Sequence, residues 1–367
     1  MQITGAVLEE IGRPRNFAES RPLTVGSVEL ADPGHGEVLV AIEAAGVCHS
    51  DLSVVDGNRR RPTPMLLGHE ACGRVVQIGS GVAGFEVGHR VVMTFLPRCG
   101  ECEGCASDGV RPCLPGSAAN TAGTLLGGGS RLRRDGQTVH HHLGVSAFAT
   151  HAVVDVHSLV RVGDDVPPDV AAVMGCAVLT GGGAVVNVGR PLAGDTVVVV
   201  GLGGVGMAAV LTALAHDGVT VIAVDPRPEK QDIASSFGAV AFGPAEATDA
   251  GVRGRVVVEA AGSIRALATA VDLTGPGGTT VTVGLPAPQA RLEISPTALV
   301  AEGRALVGSY LGSTVPSRDI PRFVEMWRAG RLPVERLISS HIDLGDINQA
   351  MDHLADGEAL RQVVTLS

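Results

Sequence analysis

Between residues 35 and 95, apolar and polar positions alternate in short runs, EVLVAIEA, GRVVQIG and HRVVMTF, separated by glycine-rich turns such as GSGVAGFEVG. Alternation with a period of two marks half-buried strands, so this region predicts an antiparallel β domain. The pattern changes near residue 195. DTVVVV reads as a strand buried on both faces, GLGGVG as a turn, and MAAVLTALA as an apolar helix. Strand-like runs near 239–242, 255–260, 278–283 and 305–311 follow, with helical patterns between the earlier ones. That order predicts an α/β fold, a doubly wound parallel sheet of about six strands. After residue 317, RDIPRFVEMWRAG and DINQAMDHLADG are amphipathic helices that each end at a glycine. The expected organisation is one domain from 1–177 and 318–367, interrupted by a second at 178–317, with the functional site in the cleft between them.

Composition narrows the function. At 367 residues the chain exceeds the size at which a single core stops growing, and its 45% apolar content is enough to fill two. The net charge of -10, with no basic run longer than Arg59–Arg61, argues against nucleic acid as a partner. The uncharged stretches 170–189 and 196–215 reach the length of a membrane span, but glycines interrupt both and the second opens as a strand. No membrane partner is expected. The N-terminus carries acidic residues at positions 9 and 10 and no apolar core of signal-peptide length, which predicts a cytoplasmic protein. Seven cysteines, an odd number, suit a reducing compartment and metal ligation better than a closed set of disulfides.

Four of those cysteines lie in CGECEGCASDGVRPC. Cys99, Cys102, Cys105 and Cys113 make a closed tetrahedral thiolate shell that leaves no position for a substrate, so zinc there is structural. Disulfide pairing and unrelated free thiols are the bland alternatives. Cys48 in GVCHSD, His69 in GHE and Cys176 in MGC form a different set, two thiolates and one imidazole, the shell of a catalytic zinc with an open fourth position. Singly, each reads as a buried small residue or a satisfied core histidine; Cys72 keeps that reading.

Gly201, Gly203 and Gly206 have the GxGxxG spacing, and the turn sits where the fingerprint requires it, after a strand and before a helix. With Gly204 and Val205 between them, they form the candidate phosphate cradle at a helix N-terminus. TVIAVD ends in Asp225, nineteen residues beyond Gly206 and suited to an adenosine ribose, so NAD is favoured over NADP. Arg227, which in this position can embrace a 2'-phosphate, keeps NADP open; Lys230 completes the candidate cofactor-binding residues.

Taken in order, GVCHSD, GHE, the four-cysteine lobe, the GC…TG segment at 175–181, GLGGVG and the terminal LRQVVTLS make a chain that resembles the zinc-dependent medium-chain alcohol dehydrogenases. The segment 117–155 is similar to the longer loop of the animal-type and glutathione-dependent formaldehyde dehydrogenase branch. The resemblance implies a GroES-like catalytic domain carrying an inserted Rossmann domain, with two zinc ions per subunit, NAD, and a homodimer with its seam near 305–311. It implies hydride transfer between a small-molecule alcohol and its aldehyde or ketone. By the same resemblance Glu70 lies behind the metal, Asp51 orients His69, Ser50 takes the alcohol's proton, Phe95 walls the substrate, and His49 and Arg361 approach the cofactor phosphates. Ser53 stands where many relatives place a relay histidine, so the proton must leave by another route. Two rival functions remain: oxidation of a hydroxymethyl adduct of a thiol, and a non-enzymatic zinc and nucleotide sensor. The run His140, His141 and His142 is read as a solvated or pocket-lining loop.

Overall fold

The computed structural model describes residues 1–366, which form two compact units. The first comprises Met1–Cys176, Pro316–Val324 and the chain from Ile338 onward; the second comprises Ala177–Val315 and Glu325–Leu337.

In the first unit, the strands Gln2–Leu8, Leu23–Leu30, Leu132–Arg134, Gln137–His141 and Met65–Leu66 close a small barrel. A second sheet runs in the order Leu159–Val162, Arg90–Met93, Glu70–Ile78, Glu37–Val47, Gln362–Thr365, Ser340–Ile342, and His151–Asp155 also pairs with Glu37–Val47. The pairing is mostly antiparallel, as the alternation predicts. The long strand Glu37–Val47 is buried on both faces because each face meets a different core. Val38, Val40 and Ile42 join Val75, Val91 and Met93, whereas Leu39 points to the barrel core of Ile3, Val7 and Leu66. Pairing of that strand with Glu70–Ile78 sets Gly46 opposite Glu70.

The second unit is a six-stranded parallel sheet in the order Val240–Phe242, Thr220–Val224, Thr196–Val200, Gly254–Glu259, Thr274–Thr282, Ala305–Gly308. Chain order reverses between Thr196–Val200 and Gly254–Glu259, the topological switch point of a doubly wound sheet. Its central strands carry runs of four and three valines, which suits burial on both faces.

The expected return of 318–367 as one piece is divided. Residues 325–337 pack within the second unit, where Arg331 donates to the Ala215 carbonyl and the Arg336 guanidinium lies 4.3 Å over the Phe237 ring. Amphipathicity shows that the segment is helical but cannot show which core its apolar face meets.

The uncharged stretch 196–215 resolves into the strand Thr196–Val200 and the helix Gly204–Leu214. The other forms most of a 22-residue helix, Pro168–Gly189, with an 18-residue stretch of mean hydropathy 1.7; it is long and apolar enough to cross a membrane, but 94% of that stretch is buried inside the protein. Two of its turns, Met174–Val178 and Ala184–Gly189, widen to π-helical geometry.

Candidate active site

Cys48 ends the buried strand Glu37–Val47 and is the N-cap of the helix His49–Val55. Asp51, in the first turn of that helix, accepts the Cys48 N–H through Oδ2 at 3.1 Å, so the helix start fixes the thiol and this carboxylate together. His69 follows Gly68, whose φ of +89° and closeness to the Phe148 backbone admit no side chain. Cys176 lies on the first π-helical turn, a feature often found at functional sites. Its neighbour Gly175 sits so close to the Met93 carbonyl that a Cβ there would overlap it.

These elements bring the ligand atoms of Cys48, His69, Glu70 and Cys176 within 4.8 Å of one another, all buried. Cys176 Sγ lies 3.6 Å from His69 Nε2. On the far side of the ring, Nδ1 lies 3.1 Å from Asp51 Oδ1, which also accepts the Gly68 N–H at 3.1 Å. Asp51 therefore fixes which nitrogen faces the two sulfurs, as a carboxylate behind a metal-ligating histidine does.

The electrostatics of the cluster follow from burial and mutual contact. The bond from Cys176 pushes the Cys48 pKa well below that of an ordinary thiol and raises Cys176 well above it. The thiolate is the form that binds metal. Burial opposes a proton on His69, but Asp51 and then Cys48 outweigh it and raise the imidazole well above its usual range. Burial likewise opposes charge on Asp51, yet His69 and His142 hold its carboxyl at about 2. Burial, only partly offset by Arg361, lifts Glu70 to about 8.

Glu70 and Arg361 form a buried pair. Arg361 Nη1 lies 3.4 Å from Glu70 Oε2 and donates to the Val47 carbonyl at 3.1 Å. Neither Glu70 oxygen has a hydrogen-bond partner among the described residues. Gly46 provides the room, since a Cβ there would lie 2.7 Å from Glu70 Oε1. Arg361 is 3% exposed and faces Glu70. The sequence expectation missed this because the contact depends on the pairing of Gln362–Thr365 with Glu37–Val47.

His142 joins the same cluster. It is buried, its ring meets His69 edge to face at 5.4 Å between centroids, and its Nδ1 lies 3.1 Å from Asp51 Oδ1 off the hydrogen-bond line. The turn that holds it contains Leu143 and Ser146 at φ of +53° and +56°. Of the reading of 140–142 as a solvated or pocket-lining loop, the solvated alternative gives way for His141 and His142, both about 1% exposed. Phe95 meets His69 edge to face at 5.6 Å. Ser50 is half-buried and His49 exposed on the first turn of the helix His49–Val55. The Ser53 hydroxyl donates to the His49 carbonyl at 2.8 Å. Cys72 lies in the sheet with its thiol raised by burial, a core residue.

The four-cysteine lobe is also assembled. All seven cysteines are free thiols. Four sulfurs held about 2.3 Å from one zinc ion lie about 3.8 Å apart along the edges of a tetrahedron. Here Cys102 and Cys105 are 3.6 Å apart, while Cys99–Cys105 and Cys102–Cys113 are each 3.9 Å apart. Cys102 and Cys113 are N-caps of the helices Glu103–Ala106 and Leu114–Ala122, where their sulfurs accept the N–H groups of Cys105 and Gly116. The N–H groups of Cys105 and Leu114 hold Cys102 at about 6, whereas burial pushes Cys105 up to about 12.

In the second unit, the turn Gly201–Gly203 leads into the helix Gly204–Leu214. Gly201 has a φ of +91°, and a Cβ there would lie 2.6 Å from the Ala261 nitrogen; a Cβ on Gly206 would overlap the Gly201 carbonyl. Gly203 has open space on that side. Val205 is half-buried on the same turn. Asp225 follows Thr220–Val224 and accepts the N–H groups of Leu202 at 2.8 Å and Arg227 at 3.0 Å. Arg227 is the N-cap of the helix Pro228–Phe237; burial first and Arg227 second push the Lys230 ammonium down.

Residues 34–164 match the family described as alcohol dehydrogenase GroES-like domain, and 204–328 match the zinc-binding dehydrogenase family. Alcohol dehydrogenase 1 of Trifolium repens is 33% identical over 361 residues, covering 94% of both chains. The chain belongs to the zinc-dependent medium-chain alcohol dehydrogenase family. Among solved structures of similar fold, benzyl alcohol dehydrogenase from Acinetobacter calcoaceticus superposes with a TM-score of 0.91 at 28% identity, covering all of both chains. Acetophenone reductase from Geotrichum candidum, solved with NAD, gives 0.78 at 26% identity, covering 99% of this chain and 97% of its own. Membership of this alcohol dehydrogenase family makes the chain an oxidoreductase acting on a small-molecule alcohol through zinc. The GroES-like and Rossmann-type folds are those the resemblance implies.

Proposed function

We propose that this alcohol dehydrogenase interconverts a primary or secondary alcohol and its aldehyde or ketone with NAD, at a zinc ion held by Cys48, His69 and Cys176. The observation that carries the reading is the buried convergence of those three ligand atoms, with Glu70, within 4.8 Å. The donor set fits zinc, two sulfurs and one imidazole nitrogen with a carboxylate behind them. The second unit fits NAD by the open face of Gly203 and by Asp225, whose carboxylate is fixed beside the glycine turn and would repel a 2'-phosphate. When bound, zinc supplies a Lewis acid for the alcohol oxygen and the nicotinamide supplies the two-electron acceptor.

The remaining work belongs to the chain. Asp51 holds the His69 ring in the orientation that presents Nε2 to the sulfurs. Ser50, two residues after Cys48, accepts the hydroxyl proton of the alcohol and passes it on. Ser53, tied to the His49 carbonyl, takes no part in that transfer, so the proton leaves Ser50 through water. Phe95 shields the imidazole with an apolar wall. Cys99, Cys102, Cys105 and Cys113 hold a second zinc that staples their lobe.

The protein acts as a homodimer in the cytoplasm. Ala305–Gly308 is an edge strand of the parallel sheet, and Leu285, Val300 and Val307 are exposed at 52%, 83% and 36%. An unpaired strand edge and exposed apolar side chains are what an isologous seam covers.

The test is an NADH-linked screen of alcohols by chain length, repeated with formaldehyde in the presence and absence of small thiols. Activity without thiol is expected; a strict thiol requirement would favour the hydroxymethyl-adduct reading. Cys48→Ala and His69→Ala should each abolish turnover while NADH binding, measured by fluorescence titration, persists. Loss of both together would contradict separate metal and nucleotide sites.

A further inference from the structure

Glu259 ends the strand Gly254–Glu259 at the switch point of the parallel sheet and is 1% exposed. A carboxylate so buried must be satisfied from within the protein, and here backbone N–H groups and one hydroxyl do so. Its Oε1 accepts the N–H groups of Ala261 at 2.8 Å and Gly262 at 2.7 Å. Its Oε2 accepts the Thr282 hydroxyl at 2.7 Å. Its backbone carbonyl receives the N–H groups of Val283 at 2.9 Å and Gly284 at 3.3 Å. One residue thus ties the segment after its own strand to the segment after the neighbouring strand Thr274–Thr282.

The first segment lies against the glycine turn, and the second lies against the first. The Ala260 N–H donates to the Val200 carbonyl at 2.9 Å, and Gly201 packs on Ala261 so closely that a Cβ would lie 2.6 Å from its nitrogen. Gly284 leaves no room for a Cβ beside Gly262, and its Cβ would also lie 2.7 Å from Glu259 Oε2. The carboxyl ends of three adjacent strands, Thr196–Val200, Gly254–Glu259 and Thr274–Thr282, are therefore locked around this one side chain. In a doubly wound sheet, ligands bind outside these ends; the first half of the sheet takes the adenosine part and the second half the other nucleotide. Asp225 serves the first half.

We propose that Glu259 is a positioning residue for the nicotinamide half of the dinucleotide. Its side chain acts through the 260–262 backbone and the Thr282 hydroxyl and touches no ligand itself, and the proposal rests on the NAD reading above. Glu259→Gln keeps the shape but turns Oε2 into a donor, so the Thr282 hydroxyl must turn to accept and the charge-assisted bonds from Ala261 and Gly262 become weaker neutral ones. Thr282→Val removes a single donor.

The experiment is NADH binding by fluorescence titration, with AMP affinity by competition, for the zinc-loaded wild type and both variants. Glu259→Gln should weaken NADH roughly tenfold or more, and Thr282→Val roughly threefold, while AMP changes less than about twofold. Preserved AMP affinity shows that the sheet is intact. Equal weakening of NADH and AMP would reduce Glu259 to a structural brace and overturn the proposal, as would unchanged NADH affinity in both variants. Should Glu259→Gln fail to fold, Thr282→Val decides by the same criterion. A wild type that binds AMP but not NADH would overturn the NAD reading and this proposal with it.

Discussion

Asp51 takes part in more of the site than any ligand does. Its carboxylate accepts from Cys48, Gly68 and His69, and His142 lies beside it. Asp51→Asn should lower affinity at the catalytic zinc roughly 10–100-fold, as loss of a partner behind a metal ligand does, and leave the lobe zinc in place. Zinc counted during stepwise chelation checks this; parallel loss of both ions would contradict it. His141 carries a separate consequence. Burial depresses its pKa to about 3, so the unfolded chain binds its proton first as pH falls. The stability tied to neutral His141 is complete above about pH 6.5 and is lost progressively towards pH 3, at up to about 1.4 kcal/mol per pH unit. Urea unfolding should show a steeper acid decline for the wild type than for His141→Asn; equal slopes would refute it. At this scale the convergence of Cys48, His69 and Cys176 was legible because thiolates and imidazoles are scarce and the local motifs distinctive. His142, Gly46 and Glu259 were not, since each acquires its role from a strand pairing or turn that brings distant residues together.

Among elements, the strand-turn-helix at 196–214 was legible in detail, because a valine strand, three spaced glycines and an apolar helix are each local patterns. The π-helical turn carrying Cys176 was not, as nothing in MGCAVLTGGG distinguishes it from ordinary helix. The three glycines of the fingerprint have different work, which substitution separates. Gly206→Ala forces a methyl into the Gly201 carbonyl and should cost roughly 1–3 kcal/mol of stability, as overpacking does. Gly203→Ala meets no protein atom and should fold normally, yet bind NADH more weakly by filling the open side of the turn. Thermal melts and NADH titration of the two variants check the pair. Similar melting losses for both would contradict the distinction.

For the whole molecule, alternation and periodicity sorted the chain into an antiparallel part and a doubly wound part, and the family resemblance named both folds. The allocation of 325–337 and the burial of Arg361 escaped the sequence for a common reason: amphipathic helices and arginines state that they have a partner without stating which. The central claim is that Cys48, His69 and Cys176 share one zinc ion while the four-cysteine lobe holds another. Anomalous diffraction at the zinc edge from crystals of the zinc-loaded protein tests it most directly. The account predicts two peaks per chain, one about 2.3 Å from the sulfurs of Cys48 and Cys176 and about 2.0 Å from His69 Nε2, the other amid the lobe sulfurs. A peak in the lobe alone, with none between Cys48 and Cys176, would contradict it.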